Sequence, residues 1–299
     1  MKKSLWAGLL GLACLVVMAG PALARAMMIA PAPISQRVAL SELIVVGKVT
    51  GFGDKLVSAV PPFGGDKVDY QIAIVKVNDP ILGAKGAKEI RVGFLPPPPP
   101  QPAPMPGKPF LLIKRYPQFT LSLDQEACLF LVKHPTEDFY IGQNYFDVIN
   151  KTGNDAFDKN MDEVKRAAGL LADPAAGLKA KNNDDRFLTA SMLLTRYRTQ
   201  KPGAGTKTEA IDADESKQIL LAIADAEWNP KPIPGAFGFQ MNPQGAFFRL
   251  GLTEKDGWTQ PKDAAAITDA AKKWLKDNAE KYRIERFVVE KKDEKKDDK

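Results

Sequence analysis

The hydrophobic positions of this chain follow two different periods, and the change between them lies near residue 155. Before that point, short runs rich in valine, isoleucine and phenylalanine alternate with glycine and polar turns, which is typical of β-strands. These runs predict strands at residues 43–51, 67–77, 88–95, 110–115, 127–133 and 139–149. Because no helical period interrupts them, we expect a small barrel or sandwich.

From residue 158 onward, apolar residues recur every three or four positions, which is typical of amphipathic helices. Met161, Val164, Ala168 and Leu171 share one face in this way. The pattern predicts helices within residues 161–173, 183–198, 212–228 and 263–278. The third helix opens with Asp212 and Glu215 at the spacing of a capping box.

A proline-rich segment, LPPPPPQPAPMPGKPF at residues 95–110, lies between two predicted strands and therefore interrupts the β region. Polyproline II needs no internal hydrogen bonds, so this segment predicts a stiff, solvated loop. Two interpretations stay open: a spacer, or a pre-ordered element that a partner protein recognises. On the second interpretation, the candidate partner-binding residues are Pro96, Pro97, Pro98, Pro99, Pro100, Pro102, Pro104 and Pro106.

The amino terminus has the pattern of a secretory signal peptide. Lys2 and Lys3 precede an apolar run from Leu5 to Ala19, and Ala22 and Ala24 occupy the two small-residue positions of a cleavage site. The run is shorter than the roughly 20 apolar residues of a membrane-spanning helix. We therefore expect residues 1–24 to be removed, and the mature chain of about 275 residues to be secreted or periplasmic, with no membrane span after cleavage.

Composition narrows the function without naming it. The formal charge of +6 falls to about +4 once Lys2 and Lys3 are removed, and the basic residues are spread along the chain. A nucleic-acid-binding protein usually shows a concentrated basic face, so the sequence carries no clear nucleic-acid signal. The block of mixed charges at residues 289–299 predicts a disordered tail.

Residues that could carry catalysis are scarce. The chain has one histidine, His134, and after cleavage one cysteine, Cys128, which lies in a strand-like apolar run. We expect Cys128 to be a buried thiol and His134 to lie in a turn or at the surface. No motif for a nucleophile, a metal or a dinucleotide is complete, so we predict no catalytic residue, no metal and no cofactor.

The β region resembles the OB-like barrel of the netrin-module and tissue-inhibitor-of-metalloproteinase group. The resemblance rests on SELIVVGKVT, then DYQIAIVKVNDPILGAKG, then KEIRVGFL, and later ACLFLVK, and it covers about 100 residues. It implies a fold and not an activity, because the inhibitory chemistry of that group uses an amino-terminal cysteine and several disulfides. The expected mature chain begins at Arg25 and has no second cysteine.

Together these patterns predict an α+β protein. An OB-like antiparallel β-barrel domain over residues 25–155 carries a proline-rich loop at 96–109, and a small α-helical domain over residues 156–288 follows. We expect an exported, non-enzymatic protein of bacterial type that binds another protein or an envelope component. Two alternatives stay open: a hydrolase that uses carboxylates, and a saccharide- or nucleic-acid-binding module, for which Tyr70 and Phe94 are the candidate aromatics.

Overall fold

The computed structural model of the chain describes residues 31–97, 118–200, 207–229 and 241–288. From Ala32 onward these residues belong to one compact unit. None of the helices in the described ranges is long and apolar enough to cross a membrane.

The strands form one mixed seven-stranded sheet and one two-stranded sheet. The large sheet contains β1 Leu43–Phe52, β2 Val57–Ala59, β3 Val68–Leu82, β4 Glu89–Phe94, β5 Glu126–Lys133, β6 Tyr140–Ile141 and β7 Val148–Asn150. The small sheet contains β8 Thr208–Ala210 and β9 Glu285–Phe287.

The pairings of the large sheet close on themselves. β1 pairs antiparallel with β3 on one edge and with β5 on the other, and the path from β3 continues through β4 and β6 to β5. The β4–β6 pairing is parallel, and the other pairings in this ring of five strands are antiparallel. β2 pairs with β3, and β7 pairs with the first half of β5, so both lie outside the ring.

Close approach of β1 and β3 depends on one glycine. A Cβ at Gly47 would lie 2.7 Å from Cγ1 of Val75 and 2.8 Å from the main-chain oxygen of Lys76. The pairing of these two strands shifts register three times, and such β-bulges bend and twist a sheet toward closure.

The alternation of side chains along β5 separates two cores. Ala127, Leu129 and Leu131 point to the ring interior, whereas Cys128 and Phe130 point outward, under the helices. The strand is therefore buried on both faces, which explains why its sequence is a continuous apolar run and not an alternating one.

The described residues contain seven α-helices, which are α1 Ile34–Leu40, α2 Phe157–Ala172, α3 Pro174–Leu178, α4 Asn183–Arg198, α5 Ala213–Ala224, α6 Pro243–Arg249 and α7 Ile267–Asn278. The helices α4, α5 and α6 begin at side-chain caps in the manner that the sequence favours. Asn182 accepts from the N–H of Asp184 at the start of α4, and Asp212 accepts from the N–H groups of Asp214 and Glu215 at the start of α5. At the start of α6, Asn242 accepts from the N–H of Gly245.

The short helix α1 connects the ring to the other helices. It contacts β5, α2 and α4, and its buried residues Val38 and Ala39 belong to the same core as Phe130 and Leu194. A salt bridge of 2.9 Å between Lys165 of α2 and Asp79 of β3 lies at the same boundary.

The α+β class is confirmed, and the four predicted helices correspond to α2, α4, α5 and α7. The single strand predicted at residues 139–149 is wrong, because the chain forms β6, then a loop, then β7. That loop is closed by the side chain of Asp147, an interaction that no periodic pattern reveals. The capping box predicted for Asp212 and Glu215 is half right, because Glu215 accepts from the hydroxyl of Tyr197 instead. The strand predicted at 110–115 and the tail at 289–299 lie outside the described residues.

Candidate functional site

The candidate functional site is an open cleft at one end of the strand ring, where β5 begins and β7 pairs with it. Its volume is about 380 Å³, at the lower end of the roughly 300–1,000 Å³ typical of ligand sites. We call it the β5–β7 cleft; its lining residues are Gln118, Thr120, Ser122, Gln125, Glu126, Tyr145, Val148, Asn150 and Thr152.

One wall of the cleft is the extended segment at residues 118–122. Phe119 and Leu121 are buried in the ring interior, so the intervening side chains of Gln118, Thr120 and Ser122 are exposed on the opposite side. Phe119 is seated against Gly142, where a Cβ would overlap the aromatic ring. The alternation of polar and apolar residues thus anchors the segment and turns its polar groups toward the cleft.

The opposite wall is formed by β7 and the residues that follow it. Val148 lies opposite Leu129 of β5, and Asn150 lies opposite Ala127. Because cross-strand partners point to the same face, both side chains point to the ring-interior side of the sheet. Asn150 is nevertheless exposed, since the ring ends at this level and leaves its amide in the cleft.

Two amides in the cleft are held in fixed orientations. Oε1 of Gln125 accepts a hydrogen bond from the main-chain N–H of Ser122 at 2.8 Å, and Nε2 of Gln125 donates to Oδ1 of Asn150 at 2.6 Å. Oδ1 of Asn150 is therefore an acceptor, and its Nδ2 faces away as a donor. This chain of bonds links the two walls of the cleft.

Tyr145 lies on the loop between β6 and β7, which a buried carboxylate closes. Oδ2 of Asp147 accepts from the main-chain N–H groups of Gln143 at 2.9 Å and Asn144 at 2.7 Å. The ring of Tyr145 contacts that of Phe146 edge-on, with centroids 5.1 Å apart. The loop thus presents one aromatic ring to the cleft from a fixed position.

The same loop is bound to α1 by an arginine. Nη1 of Arg37 donates to the main-chain oxygen of Phe146 at 2.6 Å, and the guanidinium lies 4.7 Å from the ring centre of Phe130. Burial raises the pKa of Asp147 to about 6, while its hydrogen bonds with Asn144 and Gln143 and the charge of Arg37 oppose that shift. Burial also lowers the pKa of Arg37 from its ordinary value.

The charge in the cleft is balanced. Glu126 is the one carboxylate that the described part of the chain contributes, and Oε2 of Glu126 is 3.0 Å from Nζ of Lys151. Within the described ranges, no lysine or arginine lines the cleft. An arrangement of amides, hydroxyls and one aromatic ring recognises a ligand by hydrogen bonds and ring contact more than by charge.

Most of the proline residues predicted to bind a partner fall outside the described ranges. Pro96 is half-buried just after β4 and Pro97 is exposed. Pro98, Pro99, Pro100, Pro102, Pro104 and Pro106 lie outside the described residues, as do the cleavage-site residues Ala22 and Ala24. Their roles stay predictions.

His134 and Cys128 are both buried in the structure. His134 is at the end of β5 and is buried, so the expectation of a turn position is right and that of a surface position is wrong. Its Nδ1 accepts from the main-chain N–H of Glu137 at 3.2 Å, and burial lowers its pKa. Burial raises the pKa of the Cys128 thiol to about 12, and Cys128 is buried as predicted.

The aromatic residues considered for a base- or sugar-binding face are unavailable to a ligand. Tyr70 is 6% exposed and Phe94 is 5% exposed, and each belongs to a hydrophobic core. Within the ranges that the structure describes, no three histidine, cysteine or acidic side chains are grouped as metal ligands would be.

Sequence reasoning missed the β5–β7 cleft. The signal that could have located one wall is the alternation Gln118-Phe119-Thr120-Leu121-Ser122 after the proline-rich segment. The other wall depends on the pairing of β7 with β5 and on the Asp147 loop, which are contacts between distant parts of the sheet and leave no local pattern.

Compared with known proteins, the chain matches no family model and no curated sequence.

Proposed function

We propose that this chain is an exported, non-enzymatic protein of bacterial type that binds a component of the cell envelope or another protein through its β region. The observation that carries the proposal is the β5–β7 cleft, which is open to solvent and lined by oriented polar groups. Export rests on the signal-peptide pattern of residues 1–24.

We further propose that the ring of β1, β3, β4, β6 and β5 is a barrel of the OB-like type. Two observations support this: β1 pairs on both edges, and the single parallel pairing joins β4 to β6. The resemblance to the netrin-module and tissue-inhibitor-of-metalloproteinase group likewise concerns the fold alone and not an activity. The division into a β domain and a helical domain near residue 155 also remains a prediction.

The chemistry of the cleft favours binding over hydrolysis. A hydrolase that uses carboxylates needs two acids close enough to act on one bond, with one pKa raised for acid catalysis. Glu126 is the only acid among the described residues that line the cleft, and it is paired with Lys151. Asp147, whose pKa is raised, has its acceptor oxygen engaged by the loop and is buried.

The proline-rich segment is a second route to a partner. Pro97 is exposed where the segment leaves β4, and Gln118 of the cleft follows where the described chain resumes. A proline-reading groove in a partner protein would recognise residues 96–106 independently of the cleft. The two routes can be separated by mutation: substitutions in the cleft should abolish binding on the first route, and deletion of the proline-rich segment should abolish it on the second.

The experiment compares binding of the mature chain, residues 25–299, to envelope fractions of its own source. A cleft variant carries Gln125→Ala with Asn150→Ala, and an arm variant lacks residues 96–108. Asn78→Ala, which removes an exposed amide on β3 far along the chain from the cleft, is the matched control.

We expect the unchanged chain and Asn78→Ala to sediment with the envelope fraction, and the cleft variant to remain in the supernatant. Loss with the arm variant alone would assign binding to the proline-rich segment. The binding function would be rejected if no form sediments with the envelope fraction and the unchanged chain also captures no partner from the exported proteins.

A further inference from the structure

The lining of the β5–β7 cleft has a composition that restricts its ligand. Amides are contributed by Gln118, Gln125 and Asn150, and hydroxyls by Thr120, Ser122 and Thr152. Amides and hydroxyls both donate and accept, and they match the hydroxyl groups of a sugar, each of which also does both. The aromatic ring of Tyr145 is placed among them.

The polar groups are oriented before a ligand arrives. Gln125 bridges Ser122 and Asn150 through its two amide atoms, at 2.8 and 2.6 Å. Fixing an amide in advance removes part of the entropy cost of binding, because fewer side chains must be immobilised. Polar side chains that merely face solvent would not need such a bridge between the two walls.

The aromatic ring is also positioned by buried groups. Asp147 closes the loop from beneath, and Arg37 holds the carbonyl of Phe146, the residue next to Tyr145. Asp147 is 6% exposed, so its two main-chain hydrogen bonds are protected from water. The aromatic ring and the amides therefore belong to one preorganised surface.

The electrostatics argue against a polyanion. Binding to a phosphate backbone depends on lysine and arginine contacts with successive phosphates. Among the described residues, the lining contains neither, and its carboxylate, Glu126, would repel phosphate groups where Lys151 does not offset it. An uncharged ligand meets no such penalty.

We propose that the β5–β7 cleft binds a short stretch of uncharged oligosaccharide, with a sugar ring against Tyr145 and its hydroxyls on Gln125 and Asn150. This deepens and rests on the proposed binding function. The volume of about 380 Å³ suits a short oligosaccharide end more than a long polymer segment.

The test uses the mature chain and four probes. Two are uncharged oligosaccharides, the tetramer of N-acetylglucosamine and cellotetraose. The third is an octamer of thymidylate, and the fourth is a synthetic peptide of uncharged residues. Saturation-transfer NMR detects contact of each probe with the protein, and calorimetry gives the dissociation constant.

We expect at least one of the two oligosaccharides to bind and the thymidylate octamer and the peptide not to bind. Gln125→Ala with Asn150→Ala should weaken oligosaccharide binding by about tenfold, as the loss of one or two neutral hydrogen bonds predicts. Asn78→Ala should leave it unchanged. Thr120→Trp, which fills the cleft from the other wall, should abolish binding while the thermal unfolding midpoint confirms that each variant is folded.

Binding of the thymidylate octamer or the peptide in place of both sugars would overturn the inference, and so would sugar binding that both cleft variants leave intact. If neither sugar binds while sedimentation with the envelope still depends on Gln125 and Asn150, the binding function stands and the saccharide assignment falls. If both assays are negative for every form, both proposals fall.

Discussion

Arg196 of α4 donates a hydrogen bond from Nε to the main-chain oxygen of Ala39 at 2.8 Å, close to the carboxyl end of α1. Its Nη2 reaches the main-chain oxygen of Ser41 at 3.3 Å. The carbonyl groups at the end of a helix have no partner within the helix, and a cation there also interacts favourably with the helix dipole. The side chain of Arg196 thus satisfies carbonyl groups at the end of α1, the helix that leads into β1.

We expect Arg196→Ala to lower the free energy of unfolding by about 2 kcal/mol, since it removes two charge-assisted hydrogen bonds at a half-buried position. Arg196→Lys should recover part of this loss, because an ammonium group reaches one carbonyl but not both. Urea unfolding followed by far-UV circular dichroism measures the difference. A loss of less than about 0.5 kcal/mol for Arg196→Ala would contradict this role, and Arg91→Ala, at an exposed arginine of β4, is the control.

Asp147 should make stability fall as the pH rises between about 4 and 6. Its pKa in the folded protein is about 6 against an ordinary value of 3.8, so the folded state holds its proton more tightly than the unfolded state does. The stabilisation is fully present below pH 3.8 and is lost as the pH passes 6, and it amounts to about 3 kcal/mol at 1.36 kcal/mol for each pKa unit.

The measurement is the difference in free energy of unfolding between the unchanged protein and Asp147→Asn across this pH range. The asparagine keeps an acceptor for the N–H groups of Gln143 and Asn144 and does not titrate. The difference should change by about 2 kcal/mol in favour of Asp147→Asn from pH 4 to pH 7, because part of the stabilisation is already lost at pH 4. Parallel curves for the two proteins would show that Asp147 titrates normally.

Phe119 packs directly on Gly142, so we expect the effect of a substitution at one position to depend on the size of the side chain at the other. Gly142→Ala places a methyl group where the ring of Phe119 lies, and we expect a loss of about 1–3 kcal/mol through overpacking. In a background with Phe119→Leu, the same change should cost less, because the smaller side chain leaves room. A double-mutant cycle measures the coupling. Additive effects of the two substitutions would contradict the contact.

Cys128 should be unreactive in the folded protein. Burial raises the pKa of its thiol to about 12, and the thiolate is the reactive form. In the mature chain we expect one slow thiol by Ellman's reagent at pH 8, with full reaction once guanidinium chloride unfolds the protein. Rapid reaction of the folded protein would place the thiol at an accessible surface.

The helical half shows how far local pattern reaches. The faces of α2, α4, α5 and α7 could be predicted because an apolar residue at every third or fourth position is enough to define a helix and its buried side. The same holds for β1, β3, β4 and β5, whose apolar runs are long. α1 was missed because seven residues contain too few periods to stand out, and its stability comes from contacts with β5, α2 and α4.

The cleft shows where local pattern stops. Gln125 and Asn150 are 25 residues apart and are neighbours only because β7 pairs with β5. The sequence predicts a strand where the loop that presents Tyr145 lies, since the apolar residues there resemble a strand and the loop is closed by one carboxylate, Asp147.

By itself, the sequence determined the four longer helices, the longer strands and the burial of Cys128, because helical and strand periods and apolar runs are local properties that each segment carries alone. It also led to the expectation of export. Only the tertiary structure decided that β1 pairs on both edges to close the ring, that the helices cover the outward side chains Cys128 and Phe130 of β5, and that amides from two walls meet in one cleft. These depend on pairing between residues far apart in the chain, whose free energy is realised only when the whole unit packs.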